Sequence, residues 1–236
     1  MFVAAQFYAR DADGAKREFD GYLKTLGTEY LDAVTFYDTE RQSERDAAVE
    51  TGGAMEVLLR ARDAGKLRMI GVTSHQRPLA AEIAASGPCD LLMIRYNAAH
   101  RGAETEIFPV TEAFNVPVVA YTCMRWGALL ETTPDDPPGF APPPAREWYR
   151  FALANPAVAV TLMVPNGRAE LDANLELLTT GANRRPKKCT LCETTATEST
   201  NTPADSRSIQ HLVAELARRC AVVFACRTEA PSKLGG

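Results

Sequence analysis

The stretch that decides the fold covers residues 65–75 and reads Gly65-Lys66-Leu67-Arg68-Met69-Ile70-Gly71-Val72-Thr73-Ser74-His75. A short apolar run passes directly into polar residues, which is typical of a buried strand with a hydrophilic carboxyl end. Later runs end in the same way at Asn97, at Tyr121 and at Arg168. Parallel α/β sheets and barrels build their active sites from such strand ends. We therefore expect these polar ends to carry the function.

The rest of the chain alternates between strand-like and helix-like patterns. Runs rich in apolar and β-branched residues predict strands at residues 2–6, 31–37, 68–73, 90–96, 117–122 and 157–164. Helical spacing of apolar residues predicts helices at residues 11–26, 55–63, 78–86, 104–115, 145–154 and 168–178. Such alternation with short loops indicates a parallel sheet with right-handed crossovers. The six βα units predict an incomplete TIM (β/α)8-type barrel, because a closed barrel has eight.

The composition changes near residue 180. We expect a barrel domain over residues 1–180 and an unrelated tail over residues 181–236. Residues 194–205 are rich in Thr, Ser, Glu and Pro, which predicts disorder. Residues 208–219 fit an amphipathic helix and residues 221–225 a short strand. The proline-rich residues 132–144 predict a surface loop.

Composition and charge restrict the partners that the chain is expected to have. A net charge of -4 with mixed signs gives no reason to expect nucleic acid or an anionic membrane surface. No apolar run approaches the roughly 20 residues of a membrane span, and the amino-terminal apolar run is too short for a signal peptide. Six cysteines scattered without a framework favour reduced thiols. We predict a cytoplasmic location.

The order of the motifs resembles the aldo-keto reductases over about residues 2–180. Residues 23–32, Leu-Lys-Thr-Leu-Gly-Thr-Glu-Tyr-Leu-Asp, look like that family's helix-to-strand signature. The resemblance implies an oxidoreductase that uses NADP or NAD and acts on a small-molecule carbonyl or alcohol. In that family a catalytic tyrosine lies upstream, and the corresponding segment is expected before Met1.

The resemblance also locates the positions of the acid–base residues. The family's lysine falls on Gln6, which carries no charge, and its carbonyl-polarising histidine falls on Tyr37. A tyrosine can donate a hydrogen bond, but its reference pKa is about 10. His75 follows the next strand and has a reference pKa near working pH. Tyr37 and His75 are thus the catalytic candidates, both as weak substitutes, and a purely structural role for His75 stays open.

Cofactor contacts are implied at three strand ends. Thr73 and Ser74 stand where the family has residues that bind the nicotinamide carboxamide, and Asn97 matches a family asparagine at the next strand end. The family's glutamine falls on Met93, which cannot make its polar contact. Tyr121 matches the aromatic side chain on which the nicotinamide ring stacks. A tyrosine at the edge of the core is the alternative reading of Tyr121.

The last strand-to-helix turn resembles the family's phosphate site. Its candidate residues are Pro165, Gly167, Arg168 and Asn174. Backbone N–H groups at a helix start, with an arginine beside them, suit a phosphate. Arg168 would suit the 2′-phosphate of NADP, although exposed arginines at helix starts are common. No GxGxxG motif follows a strand, so a Rossmann domain is not supported.

Three classes of function stay open at this point: an active NADP-dependent oxidoreductase, an inactive remnant that binds nucleotide or a partner chain, and a metal-binding tail. Cys189 and Cys192 form one CxxC pair, and with Cys220 and Cys226 they fall short of a zinc pattern, so no metal is expected. The outer strands, residues 2–6 and 157–164, would present open edges. We expect self-association, poor solubility, or coverage of one edge by residues 221–225.

Overall fold

The computed structural model describes residues 2–179 and 222–225. These residues divide into two compact units. The first unit comprises residues 2–92 and 222–225, and the second unit comprises residues 93–179.

The first unit is a parallel sheet with helices between its strands. In chain order its elements are β1 (Phe2–Phe7), α1 (Ala12–Leu26), β2 (Leu31–Phe36), α2 (Gln42–Val49), α3 (Ala54–Asp63), β3 (Leu67–Thr73), α4 (Arg77–Ser86), the first two residues of β4 (Leu91–Arg95), and β7 (Val222–Ala225). The strand order is β4-β3-β2-β1-β7. β2 pairs in parallel with both β1 and β3. β1 also pairs in parallel with β7.

The second unit begins within β4 and continues the alternation. Its further elements are α5 (Ala103–Glu106), α6 (Phe108–Ala113), β5 (Val118–Tyr121), a 3-10 segment (Arg125–Leu130), α7 (Ala145–Leu153), β6 (Val158–Thr161) and α8 (Arg168–Thr179). The strand order is β4-β5-β6, and β5 pairs with β6 in parallel.

Local chemistry explains the best-defined helix and strand. α1 begins where the Asp11 carboxylate accepts a 2.7 Å hydrogen bond from the Gly14 N–H. It ends at Gly27, whose left-handed φ of 61° lets its N–H reach the last turn. All six residues of β2 are buried, as expected for a strand covered on both faces. The predicted fold class, an incomplete (β/α) barrel, is confirmed by these parallel strands and alternating helices.

The observed elements differ from the predicted ones in three places. The predicted last barrel strand extends to residue 164, whereas β6 ends at Thr161 and Val164 is 83% exposed. The predicted helix at residues 104–115 is two short helices, with Pro109 in the first turn of the second. α2 was missed because Ala48 is its only buried residue, so no apolar stripe marks it.

The expectations for the tail have different outcomes. The strand expected at residues 221–225 exists as β7, and it pairs with β1 from Phe2 to Ala5. The predicted disorder at 194–205 and helix at 208–219 lie outside the described residues. Among the residues that the structure describes, no helix has the length and apolar character needed to cross a membrane.

Candidate functional site

In the first unit, polar residues collect where β1, β2 and β3 end. Two backbone hydrogen bonds join these ends, from the Tyr37 N–H to the Phe7 carbonyl and from the Thr39 N–H to the Thr73 carbonyl, both 2.9 Å long. The rings of Tyr8 and Tyr37 lie 4.9 Å apart. Parallel pairing thus gathers residues that are about 30 positions apart in the chain.

Arg10 supplies a half-buried positive charge at this edge. Its guanidinium donates to the carbonyl of Tyr37 at 2.6 Å and to that of Tyr8 at 2.9 Å. It also lies 5.4 Å from the centre of the Phe36 ring. Burial lowers the pKa of Arg10, and the negative charges of nearby carboxylates partly offset this effect. Sequence reasoning missed Arg10, although a cation two residues beyond a strand-end tyrosine was a usable signal.

Gln6 and Tyr37 occupy the positions that the sequence assigned to them. Gln6 lies in β1 opposite Thr35 of β2, and its backbone carbonyl accepts a hydrogen bond from the Tyr22 hydroxyl. Tyr37 follows β2 directly. The strand ends that resemble the family's lysine and histidine positions are therefore neighbours, but one carries an amide and the other a phenol.

Thr73 and Ser74 lie at the end of β3 and are both buried. The Ser74 hydroxyl oxygen accepts a 3.1 Å hydrogen bond from the Gln76 N–H, so it shapes its own turn. The Thr73 hydroxyl is buried and has no hydrogen-bond partner among the described residues. A buried hydroxyl without a partner is costly, and a ligand could satisfy it.

His75 lies close to two carboxylates. Its Nε2 atom is 4.0 Å from Asp38 Oδ1, and its backbone N–H donates to Glu40 Oε1. Asp38 has a left-handed φ of 53° immediately after Tyr37. The sequence singled out His75 but not Asp38 or Glu40, because acidic residues in a loop read as solvated surface.

In the second unit, Asn97 is fully buried and its amide is used within the protein. The side-chain nitrogen donates to the Thr122 carbonyl at 2.8 Å. The amide oxygen accepts from the Ala99 N–H at 3.0 Å and lies 3.1 Å from His100 Nδ1. Asn97 therefore ties the loop after β4 to the loop after β5. Its assignment to the cofactor stays a prediction.

Tyr96, next to Asn97, belongs to an aromatic cluster in the same unit. Its ring packs edge-on against Phe108, at 4.9 Å between centres, and stacks on Phe151 at 5.7 Å. Its hydroxyl donates to Glu104 at 2.7 Å. Burial and the Glu104 carboxylate raise the pKa of Tyr96, so this phenol stays protonated and serves packing.

The loop after β5 has an unusual backbone. Tyr121 ends β5 half-buried, and left-handed φ values follow at Thr122 (51°), Arg125 (50°) and Trp126 (55°). Left-handed φ is uncommon for residues other than glycine and often marks functional segments.

The remaining candidates lie around α8: Pro165 and Gly167 precede the helix, Arg168 begins it, and Asn174 lies within it. Gly167 has a φ of 132°. The Arg168 side chain is 84% exposed, and its Nε lies 2.8 Å from both carboxylate oxygens of Asp172. Asn174 is 2% exposed, and its amide nitrogen has no hydrogen-bond partner among the described residues. Thus an exposed cation precedes a buried, unsatisfied donor on one helix.

Comparisons with known proteins point to one family. The family model described as the aldo/keto reductase family matches residues 8–149. Two solved structures of an aldo-keto reductase from Bacillus halodurans are each 16% identical to this chain. The match to the apo form has a TM-score of 0.62 and covers 90% of this chain and 71% of that chain. The match to the holo form has a TM-score of 0.60 and covers 92% of this chain and 72% of that chain. The aldo/keto reductase of Brucella melitensis is 14% identical over 75% of this chain and 66% of its own, with a TM-score of 0.58. No curated protein matches the chain.

Proposed function

Because the chain belongs to the aldo/keto reductase family, we propose that it is an oxidoreductase of that type, which binds NADP(H) and a small-molecule carbonyl or alcohol, with turnover too low to measure with small aldehydes. The observation that carries the nucleotide part is in α8, where exposed Arg168 begins the helix and the buried amide nitrogen of Asn174 has no hydrogen-bond partner among the described residues. The observation that limits the catalytic part is the presence of Gln6 and Tyr37 at the family's lysine and histidine positions.

The α8 region fits the adenosine half of the cofactor. Arg168 can present its guanidinium to a 2′-phosphate, since its hydrogen bonds to Asp172 run through Nε. The buried Asn174 amide nitrogen is a donor that an adenine ring nitrogen could accept from. Gly167 and Pro165 leave the backbone without bulky side chains where a phosphate would approach.

Binding of the nicotinamide half of the cofactor is supported by one residue in each unit. In the first unit, Thr73 offers a buried hydroxyl that has no hydrogen-bond partner within the part of the chain that the structure describes. In the second unit, Tyr121 offers an aromatic ring at the end of β5. When bound, NADPH supplies the hydride for carbonyl reduction. The role of the protein residues is to orient the ring and the substrate, and to provide the proton.

Proton supply is the weak step. Hydride addition to a carbonyl leaves an alkoxide, and a positioned acid that protonates it typically contributes roughly 10²–10⁴-fold in rate. Gln6 supplies no charge. Tyr37 can act as a donor, and Arg10 holds the Tyr37 carbonyl rather than a reacting group. These observations also support a second candidate function, a protein that binds nucleotide or a partner chain without turnover.

The decisive activity assay is NADPH oxidation by the purified chain with a panel of small aldehydes. We expect no measurable turnover, because the lysine and histidine positions both lack their ionisable groups. Any weak activity should fall steeply in Tyr37→Phe or His75→Ala. Robust turnover that both variants retain would contradict the proposed roles of these positions.

We also propose a cytoplasmic location and small-molecule rather than macromolecular ligands. The net charge of -4 supports the absence of a nucleic-acid or membrane partner. Reduced thiols fit the same compartment: among the described residues, Cys89 and Cys123 are free and buried, and burial raises the pKa of each thiol to about 12. The remaining partner we propose is a second copy of the chain, bound through an open sheet edge.

A further inference from the structure

Three side chains of metal-ligand type meet in the first unit, after the ends of β2 and β3. They are Asp38, Glu40 and His75. One ligand atom from each lies within 4.8 Å of the other two. The shortest recorded separation between side chains, from His75 Nε2 to Asp38 Oδ1, is 4.0 Å.

This spacing is close to that of a loaded site. Zinc binds imidazole nitrogen and carboxylate oxygen at about 2.0–2.2 Å, which puts tetrahedral ligand atoms about 3.4 Å apart. The distances between the three ligand atoms would therefore have to shorten by about 1.4 Å at most. The side chains of Asp38 and His75 are 51% and 39% exposed, so they are not fixed by packing in the core.

The backbone that carries the three ligands is already held together. The Thr39 N–H donates to the Thr73 carbonyl at 2.9 Å, and the His75 N–H donates to Glu40. The Glu40 N–H donates in turn to Glu44 at the start of α2, at 2.7 Å. Little backbone freedom would be lost on binding, which favours affinity.

The local charge also favours a cation. Asp38 and Glu40 bring two negative charges to the group, and Glu44 adds a third next to it. Arg10 acts electrostatically on Asp38, but it is also balanced by Glu18 and Glu44. A bound cation would relieve the repulsion between the carboxylates.

We propose that Asp38, Glu40 and His75 form a binding site for a divalent transition-metal ion of the zinc type, with water completing its coordination. The imidazole excludes magnesium and calcium as preferred ions, because these hard cations take oxygen ligands. The site shares His75 with the oxidoreductase function proposed above, but zinc titration without nucleotide tests it separately from that function. It is also separate from the cysteines of the tail.

Zinc chloride titration by calorimetry tests the site. The parent for the test is the full chain with Cys189, Cys192, Cys220 and Cys226 replaced by Ser, because thiolates also bind zinc. We expect one zinc ion per chain, with affinity at least 10-fold lower in His75→Ala and in Asp38→Asn. His100→Ala is the matched control for loss of an imidazole and should bind zinc like the parent.

Asp38→Asn keeps the size of the side chain, so it separates loss of a ligand from loss of the fold, and circular dichroism of each variant checks this. Loss of zinc binding in both variants with unchanged secondary structure supports the site. Absence of zinc binding in the parent overturns it. Equal affinity in the parent and His75→Ala overturns it too.

Discussion

Asp32 shows how one residue links sequence signature and fold. It is 3% exposed, and its carboxylate accepts 2.8 Å hydrogen bonds from the Val3 N–H and from Arg68. The bond to Val3 joins β2 to β1, and Arg68 belongs to β3. This explains why the Leu31-Asp32 pair identifies a fold rather than a chemistry.

We predict that Asp32→Ala lowers the free energy of unfolding by roughly 1.5–3 kcal/mol, because it removes charged hydrogen bonds and leaves a backbone donor without its partner. The exposed pair Lys16–Asp20, 2.7 Å apart with both side chains more than half exposed, provides the control. Asp20→Ala should change stability by less than about 1 kcal/mol. Urea unfolding measures both variants, and equal effects would show that burial of Asp32 is not what matters.

At the scale of elements, Gly71 sets the close approach of β3 and β4 within the first unit. A Cβ atom at Gly71 would lie 2.6 Å from side-chain atoms of Leu91 and 2.7 Å from its carbonyl oxygen. Backbone atoms cannot yield as a flexible side chain can. A glycine is therefore required inside this strand.

Two Gly→Ala substitutions should consequently have opposite signs. Gly71→Ala should destabilise the protein by roughly 1–3 kcal/mol through overpacking. Gly21 lies within α1, where an added Cβ meets nothing within 4 Å. Gly21→Ala should therefore stabilise the protein by about 0.5–1 kcal/mol. Thermal unfolding of the two variants distinguishes these signs, and destabilisation of similar size in both would refute the packing argument.

The elements that the sequence predicts well are those marked by apolar periodicity or by caps. The strand at Leu67–Thr73 and the helix that Gly27 ends are examples. α2 escapes prediction because Glu44 caps it through backbone hydrogen bonds rather than through an apolar face. Pattern reasoning detects burial better than it detects local hydrogen bonding.

The site is less predictable than the fold for a related reason. Position along the strands could be inferred for Tyr37 and His75, which follow β2 and β3, while their catalytic roles stay predictions. The environment could not be inferred: Arg10 reads as an ordinary surface charge, and the engagement of the Asn97 amide depends on Thr122, 25 residues later. Contacts of this kind exist only after the strands have paired.

For the whole molecule, the stability of the incomplete barrel depends on whether the strands at the edges of the sheet are paired. β7 covers β1 by parallel pairing from Phe2 to Ala5. Of the three outcomes expected from open edges, this is the coverage of one edge by the tail strand, as distinct from self-association and poor solubility. At the other end of the sheet order, β6 has β5 as its strand neighbour. Self-association through β6 stays a prediction.

The central claim is that this chain binds NADP(H) through the start of α8. Fluorescence titration of NADPH and NADH against the wild type, Arg168→Ala and Arg146→Ala tests it most directly. Arg146 is the control, because it is also an arginine of the second unit that pairs with a carboxylate, Glu176 at 3.0 Å, and its side chain is 36% exposed. We expect the wild type to bind NADPH more tightly than NADH. Arg168→Ala should weaken NADPH binding about 10- to 150-fold, the equivalent of roughly 1.5–3 kcal/mol. Arg146→Ala should change neither affinity. Equal affinities of the wild type and Arg168→Ala for both nucleotides, or no binding of either, would contradict the claim.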